Sequence, residues 1–163
     1  MEWSRLVPEL TVSDFDASLR FYTEVLGFQI MYRREDPAFA YLDLDGIQFM
    51  LEAFQEDGWN TGILTKPYGR GVNFQIELAD IQPVLEALEL ADYPLFRPVA
   101  EGWYETAEGL SGQKEFLVQD PDGYLLRFCQ DLGEKPPDKK REANSSFEEV
   151  NFSMPSALLR ICC

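Results

Sequence analysis

Two stretches about 66 residues apart open in the same way, and this repeat limits the fold more than any other feature of the chain. Residues 5–12, RLVPELTV, alternate as a strand does, with Pro8 suggesting an early or edge position. Ser13 and Asp14 supply N-cap chemistry. Residues 14–26 then place Phe15, Leu19, Tyr22 and Leu26 at helical spacing and end on Gly27. Strand patterns follow at residues 28–35, 39–44 and 47–54, the last two joined by an Asp45-Gly46 turn. Residues 55–70 are turn-rich and aromatic and read as a linker loop. The order then recurs. Residues 71–78 alternate, Ala79-Asp80 parallels Ser13-Asp14, and residues 81–91 are helical with Pro83 in the first turn. Residues 94–100 can form a strand, residues 101–112 are less regular, and a hairpin closes the unit. The pattern predicts an α+β domain of two βαβββ modules, at about 5–54 and 71–131, within a single domain spanning 1–132.

The closing hairpin is the clearest element. In Glu115–Gln130, EFLVQDPDGYLLRFCQ, the run Phe116-Leu117-Val118 meets the turn Asp120-Pro121-Asp122-Gly123, and a second run follows. Proline presets φ and glycine accepts the positive φ of a tight turn. Leu126 and Phe128 point one way; Leu125, Arg127 and Cys129 point the other. Across the modules, alternation assigns Leu6, Leu10, Phe49, Leu51, Val72, Phe74, Ile76, Leu126 and Phe128 to the face packed on the helices. The opposite face then carries Glu9, Thr11, Gln48, Met50, Glu52, Asn73, Gln75, Glu77 and Arg127.

Composition removes several kinds of chemistry. The chain has 163 residues, a net charge of −15 and no histidine. Residues 134–163 hold five acids and five bases, so the acidic surplus lies entirely in residues 1–133. Such a charge argues against nucleic-acid binding, suits a cationic partner, and also serves solubility alone. Without imidazole there is no Ser-His-Asp triad, and acid–base work falls to carboxylates, Tyr, Lys or Cys. Three cysteines, Cys129, Cys162 and Cys163, are not a disulfide framework. With no signal-like N-terminus and no long apolar run, a cytoplasmic protein without a membrane partner is expected. Residues 133–163 change character. GEKPPDKKREANSS is polar and proline-paired, so this tail reads as disordered or loosely packed.

The segments VSDFDASLRFYTEVLGF, DGIQFMLEAF and KEFLVQDPDGYLLRF resemble the vicinal oxygen chelate superfamily, which includes glyoxalase I, extradiol dioxygenases and bleomycin resistance proteins. The resemblance covers residues 5–131. It implies strands curled into an open half-barrel around a concave cleft, and in many members a homodimer. In metal-dependent members, one ligand sits on the first strand of each module and another on its last. Matched to this sequence, those places are Val7, Asn73, near Glu52, and Arg127. Valine cannot bind metal, asparagine is a poor donor, and arginine repels a cation. The resemblance therefore implies no inherited metal site, no cofactor and no catalytic residues. It points to the bleomycin-resistance type, which sequesters a cationic, aromatic drug in an acidic cleft.

On that reading the ligand is held by Glu9, Phe39, Gln48, Glu52, Phe54, Trp59, Asn73, Gln75, Trp103, Tyr104 and Arg127. Arg127 either pairs with Glu52 or Glu77 or meets an anionic group of the ligand. Drug-binding relatives often carry a Trp-Gly pair before the last hairpin. Here Ser111-Gly112-Gln113 stands there, and Trp103 is the replacement on offer. The alternative is a metal-dependent lyase or dioxygenase whose site has been rebuilt from Glu9, Glu52 and Glu77, which would suit a hard cation.

Overall fold

A computed structural model describes residues 3–107 and 109–136. The first module is a four-stranded sheet in the order β1-β4-β3-β2, built from β1 (Glu9–Val12), β2 (Gln29–Glu35), β3 (Ala38–Leu44) and β4 (Ile47–Ala53). The second repeats the order as β5-β8-β7-β6, with β5 (Asn73–Glu77), β6 (Arg97–Glu105), β7 (Leu110–Gln119) and β8 (Leu125–Lys135). In each sheet the first strand pairs in parallel with the last, and all other pairs are antiparallel. The two helices are α1 (Phe15–Arg20) and α2 (Gln82–Leu90). The fold is thus α+β, two βαβββ modules whose sheets do not close into a barrel.

The two helices and one side of each sheet share a core. Leu10, Leu19, Tyr22, Phe49, Leu51, Ile76, Leu88, Phe116, Leu126 and Phe128 belong to one buried cluster that spans both modules. Phe49 of β4 meets Phe74 of β5 edge to face at 5.3 Å, which ties the sheets together. The core assignment therefore holds for the central strands. It fails at two strand entrances. Leu6 is 85% exposed and Val72 is 51% exposed, because β1 begins only at Glu9 and β5 only at Asn73. Alternation in sequence does not make a strand where no neighbour supplies hydrogen bonds.

Other boundaries move for physical reasons. The first helix keeps its α geometry only to Arg20 and widens into a π turn over Phe21–Val25, closed by Leu26 N–H to Phe21 O at 3.0 Å. Gly27 then takes φ +83°, the left-handed conformation expected after a helix. The irregular residues 101–112 instead complete a long hairpin. Trp103 faces Gly112 across β6 and β7, and a Cβ at Gly112 would lie 2.6 Å from the indole. A glycine opposite a tryptophan reads as loop in sequence, yet here the small residue makes room for the ring. The last strand also outruns the 1–132 domain boundary, since Gly133 and Glu134 pair with Gly112 and Ser111. The rest of the expected tail, 137–163, lies outside the described residues.

The Asp120-Pro121-Asp122-Gly123 turn has a second role. It leaves module two and locks onto module one. The fully buried Asp122 carboxylate accepts from Ser13 N at 3.0 Å, Ser13 Oγ at 2.6 Å and Ser18 Oγ at 3.4 Å. Lys66 Nζ lies 3.0 Å from the same carboxylate. Asp120 accepts from the backbone N–H groups of Asp122 and Tyr124, both at 2.9 Å, and from the Tyr22 hydroxyl at 3.1 Å. Burial pushes its carboxyl up to about 6 despite those donors. Tyr124 OH reaches Thr11 O at 3.2 Å, so the turn also fixes the strand that carries the first candidate residues.

Candidate functional site

Register places one row of side chains across the non-core face of module one. Arg34 of β2 is opposite Phe39 of β3, Phe39 is opposite Glu52 of β4, and Glu52 is opposite Thr11 of β1. Because β2 is an edge strand, Arg34 is free to fold inward over its neighbour. Its guanidinium carbon sits 4.6 Å above the Phe39 ring. One Nη2–H reaches Glu52 Oε1 at 2.7 Å, and Nε–H donates to Pro37 O at 3.0 Å. Glu9 lies one strand position pair away, opposite Met50. Burial first, then the charge of Glu52 and a hydrogen bond to it, push the Glu9 carboxyl above its ordinary range, while Arg34 opposes the rise. Glu9 stays exposed, which limits that push.

These residues line a cavity of about 480 Å³. Glu9, Arg34, Phe39, Met50 and Glu52 form its floor, and the loop residues Gln55, Asp57, Gly58 and Trp59 form its wall. The supposed linker loop is therefore part of the site. Thr11 Oγ1 donates to Asn60 Oδ1 at 3.3 Å and anchors that wall. Trp59 is 95% exposed, so one whole aromatic face is unused. On the other side of the same loop, Phe54 lines a separate cavity of about 590 Å³ with Ser13, Asn60, Ile63, Leu64 and Tyr68.

The corresponding face of module two is organised differently. Arg127 Nε lies 3.5 Å from Glu115 Oε2 on β7, and an Nη2–H of Arg127 donates to Gln75 Oε1 on β5. The expected pairing of Arg127 with Glu52 or Glu77 does not form: register sets Gln75, not Glu77, opposite Arg127, and Glu115 of β7 is its ion partner. Cys129 is wholly buried beside this group, and burial, followed by the charge of Glu77, pushes its thiol up. A thiol held protonated is a poor nucleophile. Register also alters the comparison between modules. Gln75, which precedes Asp80 by the same spacing as Glu9 precedes Asp14, faces Arg127, whereas Glu9 faces Met50. By this count the module-one counterpart of Arg127 is Met50, and Glu52 corresponds to Cys129.

Of the expected ligand-binding residues, Glu9, Phe39, Glu52 and Trp59 come together. Phe39 is buried and offers its ring to Arg34. Gln48 has a structural place instead. It is buried, accepts from Tyr41 OH at 2.6 Å and Ser4 N at 2.8 Å, and donates to Asp43 at 2.8 Å. Asn73 and Gln75 lie exposed on β5, and Trp103 and Tyr104 lie on the outer strand β6. Trp103 holds Lys135 Nζ 3.9 Å from its ring, so its face is already occupied. None of these four lines the Glu9–Glu52 cavity. Arg34 was missed by sequence reasoning; Phe39 and Glu52 were found, but only strand register reveals what crosses them.

The residue types also decide about metal. Among the described residues, no three Asp, Glu or Cys side chains gather where an ion could be held, so Glu77 does not join Glu9 and Glu52. The cavity itself offers two carboxylates, Glu9 and Glu52, and Glu52 is already paired with Arg34.

The sequence model of the Glyoxalase/Bleomycin resistance protein/Dioxygenase superfamily matches residues 6–128. The chain belongs to that superfamily. The lactoylglutathione lyase of Haemophilus influenzae is 27% identical over 139 residues, 77% of this chain and 91% of that protein. The bleomycin resistance protein of Geobacillus stearothermophilus is 24% identical over 136 residues, 77% of this chain and 96% of that protein. A solved structure, a superfamily member from Vibrio splendidus 12B01, is 40% identical, covers 76% of this chain and 95% of its own, and has a TM-score of 0.36. The superfamily chain thus has relatives of both the lyase and the drug-resistance kind. Among its described residues, no helix is long and apolar enough to cross a membrane.

Proposed function

We propose that this superfamily member binds and sequesters a small cationic, aromatic molecule of the antibiotic type and breaks no bond in it. One observation carries the reading. The module-one cavity sets two carboxylates and an exposed tryptophan around an aromatic floor, with no cluster of three metal-ligating side chains among the described residues. Carboxylates attract the cation, and the exposed indole offers stacking area. Likeness to bleomycin resistance proteins supports the same reading. Cytoplasmic residence and a homodimer whose second copy completes the open cleft belong to this proposal. Titration calorimetry against bleomycin and a panel of cationic aromatic drugs tests it. Saturable heats with a raised melting temperature are expected; silence across the panel would sink it.

A second reading is favoured by one feature, the paired carboxyls of Glu9 and Glu52, together with the likeness to lactoylglutathione lyases. It is a lyase-type enzyme with a rebuilt carboxylate site. Adding Mg²⁺ or Mn²⁺ to metal-stripped protein distinguishes the two, since only the enzyme reading expects melting temperature to respond.

A further inference from the structure

In module one the protein places one of its own cations between an aromatic ring and a carboxylate. Arg34 presents a planar guanidinium with one face 4.6 Å from the Phe39 ring and one edge on Glu52 at 2.7 Å. Stacking on an aromatic face while donating to a carboxylate is how a site recognises a guanidinium or amidinium group. The carrier is the edge strand β2, which has a sheet neighbour on one side only. Arg34 is also 40% exposed, so it can leave the site without stranding a charge away from water.

We infer that Arg34 is a tethered competitor, a guanidinium from the chain's own edge strand that occupies the Phe39–Glu52 subsite, which an aromatic amidine or guanidine ligand takes over on binding. This rests on the binding reading above and narrows its ligand class. The incoming group stacks on Phe39, donates to Glu52 and Glu9, and extends its ring toward Trp59. Arg34 swings to solvent, where water and the acidic surface satisfy it. The tether raises the threshold for binding, so weak monocations are turned away. Only a ligand that also uses Trp59 displaces the arginine.

Benzamidine is the probe, with benzoate and benzyl alcohol as anionic and neutral controls. Calorimetry compares wild type, Arg34→Gln and Arg34→Lys, with melting curves to confirm folding. Arg34→Gln should bind benzamidine about tenfold more tightly than wild type, equivalent to 1.4 kcal/mol. Arg34→Lys, which keeps the charge but loses the planar stack, should fall between. Weaker or unchanged benzamidine binding in Arg34→Gln overturns the inference, as does failure of both proteins to bind it. Benzoate binding that disappears in Arg34→Gln also overturns it, because Arg34 would then be an anion clamp. If the drug panel still binds wild type while Arg34→Gln changes nothing, the competitor idea fails and sequestration stands. If no drug and no amidine binds any variant, both fail.

Discussion

The two modules share strand order and a common core, yet their non-core faces treat charge in opposite ways. In module one, Glu9, Glu52 and Arg34 surround a cavity, and an exposed tryptophan stands beside it. In module two, Arg127 donates to Gln75 and stands 3.5 Å from Glu115 in an ion pair whose facing atoms, Nε and Oε2, are buried without a hydrogen bond, and Cys129 is buried on the same strand. One face sets its charges around a cavity; the other pairs them within the sheet, leaving those two atoms buried and making no hydrogen bond. Duplication of a module therefore fixes the scaffold and leaves each face to be settled by the side chains that register brings together. The arrangement of charge in this chain is asymmetric although its topology is not.

The junction is common to both faces and gives the largest expected effect. Asp122→Ala removes the buried acceptor that Ser13, Ser18 and Lys66 share. Stability in urea should fall by about 3 kcal/mol, as expected when a buried charged acceptor is lost from several partners. Binding should weaken with it, because the turn also fixes β1. A loss below about 1 kcal/mol would mean that the modules do not depend on this turn.

Arg127→Ala comes next and separates the faces. It leaves Glu115 partly buried without its ion partner. After allowance for solvent at this half-open site, stability should drop by about 2 kcal/mol. Binding of a cationic probe should stay within twofold. The double change Glu115→Gln with Arg127→Met should recover most of the loss, since a neutral pair has no unpaired charge to shelter. Should Arg127→Ala instead abolish binding with no loss of stability, the contrast between the faces would be reversed.

How far this contrast was legible in sequence depends on the range of the interactions. Strand order and the turn chemistry of Asp45-Gly46 and Asp120-Pro121-Asp122-Gly123 are local, and they were readable. Glu9, Glu52 and Trp59 were picked out because charge and aromatic type mark them. Arg34 carries no such mark within the strand pattern at 28–35; only pairing with Phe39 and then Glu52 brings it inward. Trp103 was offered as a stacking platform, but a sequence does not show that Lys135 returns from the end of β8 to cover it. Leu6 and Val72 were placed in the core by parity alone, which ignores where hydrogen bonding starts. In each miss the deciding partner lies on another strand.

Glu52→Gln tests module one from the other side. It keeps the size of the side chain and removes the charge that holds Arg34 and would hold a ligand cation. Binding of a cationic aromatic probe should weaken about tenfold, which corresponds to 1.4 kcal/mol. Stability should change by less than about 1 kcal/mol, since the amide oxygen still accepts from Arg34, whereas Arg127→Ala removes the whole partner. The expected pattern is the mirror image of Arg127→Ala. Equal effects on binding and stability in both variants would dissolve the distinction.

The smallest effect is a pH dependence, and its sign follows from Glu9. Burial and the neighbouring Glu52 hold the Glu9 carboxyl above its ordinary range, so in the free protein it takes up a proton earlier as pH falls. A cation favours the ionised form, so its binding must displace that proton. Affinity should therefore rise with pH through the raised Glu9 range and level off above it. On acidification the loss should begin before an ordinary exposed glutamate would titrate. Glu9→Gln removes the proton that is exchanged, so its affinity should be lower at neutral pH and flatter in this window. The same carboxyl affects folding in the opposite direction. Its raised value contributes stability that is fully present below the unfolded-state range and is lost as pH rises through the folded one. Binding and stability should thus run in opposite senses with pH at this one residue, with no counterpart expected at Gln75, which holds the matching place in module two and does not titrate. Parallel pH profiles for wild type and Glu9→Gln would remove Glu9 from the site and leave Glu52 to hold the cation alone.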